Sequence, residues 1–215
     1  MNVLAVNGGP RKTFNTAMLL QQAMAGAESV GAKTEMIHLY DYQYQGCVSC
    51  FACKRKDCSN PGHCALPDAL SEVLERALRC DVLLLGSPIY LGEVTGLMRC
   101  FMERLLFPVI SYDKERRFQF TGSISTGLFY TMNMPEKNIA QMQWVYQGNE
   151  KTFSKWLNGT VEYLASYDTW QFDDYGKYTT KMFDLEQKAK TRAERFPLDL
   201  KAAFEIGARL SGEKA

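Results

Sequence analysis

The sequence predicts an α/β domain: a three-layer sandwich in which a five-stranded parallel sheet, in the order 2-1-3-4-5, lies between two layers of helices. Three observations carry that expectation. Short apolar runs without polar alternation, the clearest being Val82-Leu83-Leu84-Leu85, read as strands covered on both faces. Stretches of strong helix formers alternate with these runs, and such alternation closes into a parallel sheet through right-handed crossovers. A chain of 215 residues suits one sizeable core and is short for two. One domain is therefore expected over 1–215, elaborated by a cysteine-rich loop at 46–65 and a helical C-terminal extension at about 181–212.

The first strand is Val3 to Val6, bounded by Asn2 and by Asn7-Gly8-Gly9-Pro10. Asn15-Thr16 then precedes a helix that runs from Ala17 to about Val30, where Gly31 supplies a stop. Thr34 to Leu39 alternates weakly and reads as the second strand. Pro67-Asp68 opens a helix through Leu78, with Leu70, Val73, Leu74 and Ala77 on its apolar face. The third strand ends at Gly86-Ser87-Pro88, and Gly96 to Phe107 reads as the next helix. A polar stretch, Ser111 to Gln119, leads to a fourth strand at Gly127 to Thr131. Asn138 to Leu157 reads as helical with an interruption near Gly148, and Thr160 to Tyr167 as the fifth strand. Lys181 to Leu210 is helical at both ends, with a break expected at Phe196-Pro197 because proline ends or kinks a helix.

Lysine plus arginine (25) nearly balance aspartate plus glutamate (24), so nothing in the charge calls for nucleic acid or an anionic membrane as a partner. The N-terminus lacks the basic start and long apolar region of a signal peptide, and no apolar run reaches membrane-spanning length. A soluble, cytoplasmic protein is expected. Seven cysteines are present, five of them between Cys47 and Cys64. In a reducing compartment that clustering points to metal or redox chemistry before disulfides.

In an open sheet of this order, ligands bind beyond the carboxyl ends of the strands, at the switch point between strands 1 and 3. The loop there is Asn7-Gly8-Gly9-Pro10-Arg11-Lys12-Thr13-Phe14-Asn15-Thr16. Its glycines let backbone amides approach an anion, Arg11 can bond phosphate oxygens in a fork, and Thr13, Asn15 and Thr16 bring polar side chains to a helix start. The bland alternative is a surface turn in which Asn15 or Thr16 merely caps the helix. A dinucleotide fingerprint and an ATPase P-loop are both absent.

The Gly-Gly-Pro-Arg-Lys loop followed by Asn15-Thr16, the segment Gly86-Ser87-Pro88-Ile89-Tyr90 and the cysteine run between them resemble the NADPH-dependent FMN reductase and iron-sulfur flavoprotein branch of the flavodoxin-like superfamily. The resemblance covers roughly the first 135 residues. It implies a flavodoxin-like fold and FMN held without a covalent bond, its phosphate on the residues Gly9 to Thr16. Members usually carry serine where this chain has Gly9, which leaves only the backbone N–H at that place.

Pro88, Ile89, Tyr90, Leu91 and Gly92 offer a rigid turn, flat apolar surface and backbone donors for an isoalloxazine ring, or else a packed strand-to-helix connection. Thr131 and Asn133, after the fourth strand, fall where the resembling family brings a loop beside the flavin's polar edge. Tyr167-Asp168-Thr169-Trp170 offers an aromatic wall for a nicotinamide or a neighbouring subunit's flavin, or simply core.

Cys47, Cys50 and Cys53 make two consecutive C-x2-C steps, and four residues separate Cys58 from Cys53 while ten separate Cys64. The resemblance implies a [4Fe-4S] cluster on Cys47, Cys50, Cys53 and, by spacing, Cys58. A four-cysteine zinc site, a reversible thiol pair and a loop of small buried cysteines are its rivals. Lys54, Arg55 and Lys56 either offset thiolate charge or form a solvated face.

The function expected is an FMN-dependent oxidoreductase that takes hydride from NADPH or NADH and passes electrons to an unidentified acceptor. No catalytic acid or base is required, since the cofactor carries the chemistry. Two alternatives are a non-enzymatic FMN and iron-sulfur electron carrier between proteins, and a zinc-stabilised binding module. The resemblance further implies a homodimer or homotetramer.

Overall fold

The computed structural model describes residues 1–115 and 118–212, so part of the 111–119 stretch and the last three residues of the expected domain lie outside the described residues. Strands β1 (Asn2–Asn7), β2 (Lys33–His38), β3 (Val82–Tyr90), β5 (Ser125–Thr131) and β6 (Val161–Ser166) form a parallel sheet in the order β2-β1-β3-β5-β6. That is the expected order. A two-residue strand, β4 (Glu93–Val94), adds a sixth by folding back on the end of β3. Registers such as Asn7 opposite Gly86 and Pro88 opposite Thr131 bring the carboxyl ends to one edge.

Alternation along the buried strands divides the core. Leu4, Val6, Leu83 and Leu85 face α2 (Ser71–Ala77), α3 (Gly96–Val109) and α4 (Gln143–Leu157). Val3, Ala5, Val82 and Leu84 face α1 (Asn15–Ser29) and α6 (Phe196–Gly212). The latter two helices pack so closely that a β-carbon on Gly26 would overlap the Phe204 carbonyl, and one on Gly207 the Ala23 carbonyl. Among the described residues, no helix is long and apolar enough to cross a membrane.

Three elements depart from expectation. The helix expected from Pro67 starts only at Ser71, because Asp68 Oδ1 accepts the Leu70 N–H and Ser71 Oγ donates to Leu66 O, fixing a turn ahead of it. Gly148 does not interrupt α4: the helix runs through it after a 3-10 turn at Glu136–Gln141. A glycine there costs about 1 kcal/mol relative to alanine, and burial of Val145, Tyr146, Phe153 and Leu157 outweighs it. The C-terminal extension also continues through Pro197. Helix α5 (Leu185–Lys190) passes into a π turn at Thr191–Arg195 and then α6, so the wider turn precedes the proline where an α-helical ladder would clash with its ring.

Candidate functional site

The loop after β1 is pinned from below before it meets any ligand. Gly8 N–H donates to Gly86 O at 2.7 Å, and Gly9 N–H donates to the Asn7 side-chain oxygen at 2.9 Å. Thr95 caps α3 through Met98 N–H and donates its hydroxyl to Gly8 O at 2.7 Å, while Ser87 Oγ accepts the Thr95 N–H. The start of α3 thus holds the loop in place. A β-carbon at Gly8 would press on Met98, which accounts for glycine at this close approach.

Above this loop lies a cleft. Gly9, Pro10, Arg11, Phe14, Asn15 and Thr16 from the loop after β1 line it together with Thr131, Met132 and Asn133 from the end of β5. Pro88, Ile89 and Tyr90 from β3 and Thr169, Trp170 and Gln171 from the loop after β6 complete the lining. Asn15 and Thr16 are buried and cap nothing: the N-cap of α1 is Phe14, without a side-chain hydrogen bond, so no side chain caps the first turn beside the cleft. Thr16 Oγ1 lies 2.7 Å from Thr131 Oγ1 and ties the phosphate-type loop to the end of β5.

Ten of the thirteen predicted binding residues therefore share one cavity. Thr13, Leu91 and Gly92 stand off its wall. Thr13 is exposed, and Leu91 and Gly92, both at positive φ, form the solvent-facing tip of the β3–β4 turn. Lys12 turns away to an exposed ion pair with Asp41 at 2.7 Å. Phe14, Met132 and Gln171 line the cleft without a signal in the sequence, since each is an ordinary loop or strand-end residue until the sheet places it.

The loop after β6 closes over the cleft through two adjacent carbonyls. Asn15 Nδ2 donates to Trp170 O at 2.6 Å, and Arg11, whose guanidinium lies 3.6 Å above the Phe14 ring, donates to Gln171 O at 2.6 Å. Behind the loop, the buried Lys188 ammonium binds Asp168 Oδ1 at 2.8 Å and Thr169 O at 3.2 Å. Two buried acceptors on the cleft wall, Asn133 Oδ1 and Gln171 Oε1, have no hydrogen-bond partner. An orphaned buried acceptor is costly unless a ligand donates to it. Asn133 also borders a larger chamber of about 720 Å³ roofed by Met182, Phe183 and Lys188.

Those features fit FMN. The open helix start and Arg11 suit a phosphate dianion, and the two orphaned acceptors match the N–H of a flavin's pyrimidine edge and the hydroxyls of its ribityl chain.

The cysteine segment behaves differently. Cys47, Cys50, Cys53 and Cys64 border one small cavity with Phe51, Phe107 and Arg104, whereas Cys58 is not on its wall. Arg104, fully buried on α3, gathers the segment: it donates to Gln45 O, Leu66 O and Asp68, and its Nε lies 3.4 Å from Cys64 Sγ. Lys54 is no solvated charge either, because its ammonium donates to the carbonyls of Phe107, Pro108 and Ile110 at the end of α3. Arg55 pairs with Asp57 on the surface. Among the described residues no cysteine, histidine or carboxylate group converges to hold a metal ion. The shared cavity is about 20 Å³, room for one water. As folded, these thiols do not fit a [4Fe-4S] cluster or a four-cysteine zinc site.

Burial pushes the Cys53 thiol up, and it pushes the Cys80 thiol up to about 12. Cys47 and Cys50 are exposed. Because the thiolate is the nucleophile, brief iodoacetamide treatment of the native protein at pH 8 should label Cys47 and Cys50 and spare Cys80. Peptide mass mapping checks this, and rapid labelling of Cys80 without denaturant would contradict it.

Residues 1–128 match the family model described as NADPH-dependent FMN reductase. An iron-sulfur flavoprotein of Archaeoglobus fulgidus is 33% identical over 128 residues, which is 60% of this chain and 60% of that protein. The chain thus matches only about three-fifths of that relative's length. A solved NAD(P)H:quinone oxidoreductase from Methanothermobacter marburgensis superposes with a TM-score of 0.68 at 15% identity, covering 100% of this chain and 99% of that one. An FMN-dependent NADH-azoreductase from Bacillus anthracis, solved in complex with FMN, gives 0.67 at 11% identity, covering 98% and 99%. At such identities the superpositions speak for the fold.

Proposed function

The chain belongs to the NADPH-dependent FMN reductase family, and on that footing we propose that it binds FMN non-covalently in the cleft and works as an NAD(P)H-dependent oxidoreductase with an electron acceptor still to be identified. The observation that carries this reading is the polarity of the cleft. Its Arg11 end, beside the uncapped start of α1, awaits an anion, and its walls hold two buried acceptors awaiting donors.

When bound, FMN supplies the hydride chemistry, accepting two electrons from a nicotinamide and releasing them to the acceptor. The chain's own residues bind and orient. Arg11 and the first-turn N–H groups hold the phosphate, Pro88 to Tyr90 give the ring an apolar side, and Asn133 fixes its polar edge. Trp170 and Gln171 exclude water from the other side. No side chain in the cleft is asked to move a proton. No step runs through the cysteine segment. Tyr90 is half exposed and Leu91 fully so beside the cleft, which supports a homodimer or homotetramer in which a second copy covers the flavin.

Purified protein should bind one FMN per chain, and anaerobic addition of NADPH or NADH should bleach the bound flavin's visible band. Protein that stays colourless after incubation with FMN would remove the proposal. Flavin that binds but resists bleaching by either nicotinamide would favour a carrier between proteins.

A further inference from the structure

The C-terminal extension reaches the start of α1 in the flavin cleft through Arg192. Arg192 sits in the π turn between α5 and α6, and its guanidinium donates to Asn15 Oδ1 at 3.1 Å, across 177 positions of sequence. Its other arm lies 3.8 Å from Met18 Sδ, and the Phe196 ring supports it from 4.5 Å. We infer that Arg192 is a positioning residue for the flavin site, acting through the Asn15 amide on the Trp170 wall. This rests on the FMN reading given above.

The argument is one of hydrogen-bond satisfaction. Asn15 is 4% exposed and lines the cleft. Its amide has one orientation that serves both neighbours: the oxygen accepts from Arg192, and the nitrogen donates to Trp170 O. Without Arg192 the buried oxygen loses its donor while the nitrogen keeps Trp170 O, so the amide is fixed at one end only and carries an unpaired buried acceptor. The wall formed by Trp170 and Gln171 would then meet the loop after β1 through Arg11 and a less firmly placed Asn15. The π turn belongs to the same device. A side chain on a regular α-helix rotates by 100° per residue, and the wider turn resets that phase just where Arg192 must reach α1. Single π turns of this kind recur at functional positions. Arg192, the π turn and the Trp170 wall lie beyond residue 128, outside the stretch the family model matches.

A double-mutant cycle tests the inference. Arg192→Met keeps an unbranched apolar side chain and removes the guanidinium, with its donors and its contact with the Phe196 ring. FMN and riboflavin dissociation constants are measured by flavin fluorescence for the wild type, Arg192→Met, Asn15→Ala and the double variant, with apo-protein melting curves for all four. Arg192→Met should weaken FMN about tenfold in the wild-type background, as loss of one charged hydrogen bond implies. In the Asn15→Ala background it should weaken FMN less than about twofold, since the coupling is already gone. The apo melting temperatures should show the same non-additivity, and riboflavin should weaken by the same factor as FMN.

Equal losses in both backgrounds, or no loss at all, would overturn the inference. So would a loss for FMN with riboflavin untouched, which would make Arg192 a bare charge acting on phosphate. The two readings separate cleanly. A wild type that fails to bind FMN removes the proposed function, whereas a wild type that binds it and an Arg192→Met variant that binds equally well removes only this step.

Discussion

Gly207→Ala should lower stability by about 3 kcal/mol or more, because the added methyl group has nowhere to go. It would overlap the backbone carbonyl of Ala23 on α1, and Gly26 on the facing helix meets the Phe204 carbonyl in the same manner. Backbone cannot swing aside as a flexible side chain can, so α6 must lift from α1 along its length. For a chain of this size the loss should appear as a fall of roughly 6–12 °C in melting temperature. The consequence extends to the ligand: α1 begins with Asn15 and α6 follows directly on the π turn that carries Arg192, so separating the helices pulls apart the contact between Arg192 and Asn15. Flavin affinity should fall with stability. Differential scanning calorimetry and flavin titration measure the two together, and an unchanged melting temperature would show that the helices are not in this contact.

The second large effect is expected at Arg104. Its side chain is wholly buried, it pairs with Asp68, and it donates to the carbonyls of Gln45 and Leu66. Arg104→Met leaves Gln45 O and Asp68 Oδ2 without this donor, with Leu66 O keeping only Ser71 Oγ, and removing one member of a buried pair costs about 3 kcal/mol or more. Urea denaturation should show it. Arg104→Lys should recover little, because an ammonium cannot reach Gln45 O, Leu66 O and Asp68 with the spread of a guanidinium fork. Combining Arg104→Met with Asp68→Asn removes the uncompensated charge and should restore part of the loss. Since the same guanidinium gathers the cysteine segment, iodoacetamide should label Cys64 faster in Arg104→Met than in the wild type. Unchanged stability and labelling would mean that the segment is held by its apolar contacts.

Both effects lie in places where the sequence was silent, and the pattern of what was legible has a physical basis. Strands β1 and β3 were readable because parallel strands buried on both faces need uninterrupted apolar runs. The loop from Gly9 to Thr16 could be placed on the cleft because glycines, a cation and short polar residues at a strand-to-helix junction mark the switch point of such a sheet. Helix boundaries were less so: Gly148 and Pro197 are local breakers that the tertiary structure overrides, one by burial of its neighbours and one by a π turn. The cysteines show the opposite limit. Spacing paired Cys58 with Cys47, Cys50 and Cys53, whereas the fold puts Cys64 on their shared cavity through Arg104.

By itself, then, the sequence determined the α/β sheet order, the single phosphate-type loop and the residues at the carboxyl ends of β3 and β5, all properties written within a few neighbouring residues. The tertiary structure alone decided what closes the cleft. Trp170 reaches Asn15 across 155 positions and Arg192 across 177, and partners so distant leave no periodicity or spacing to read. Their pairing follows from the requirement that every buried polar group find a partner wherever the packed helices and sheet bring one within reach.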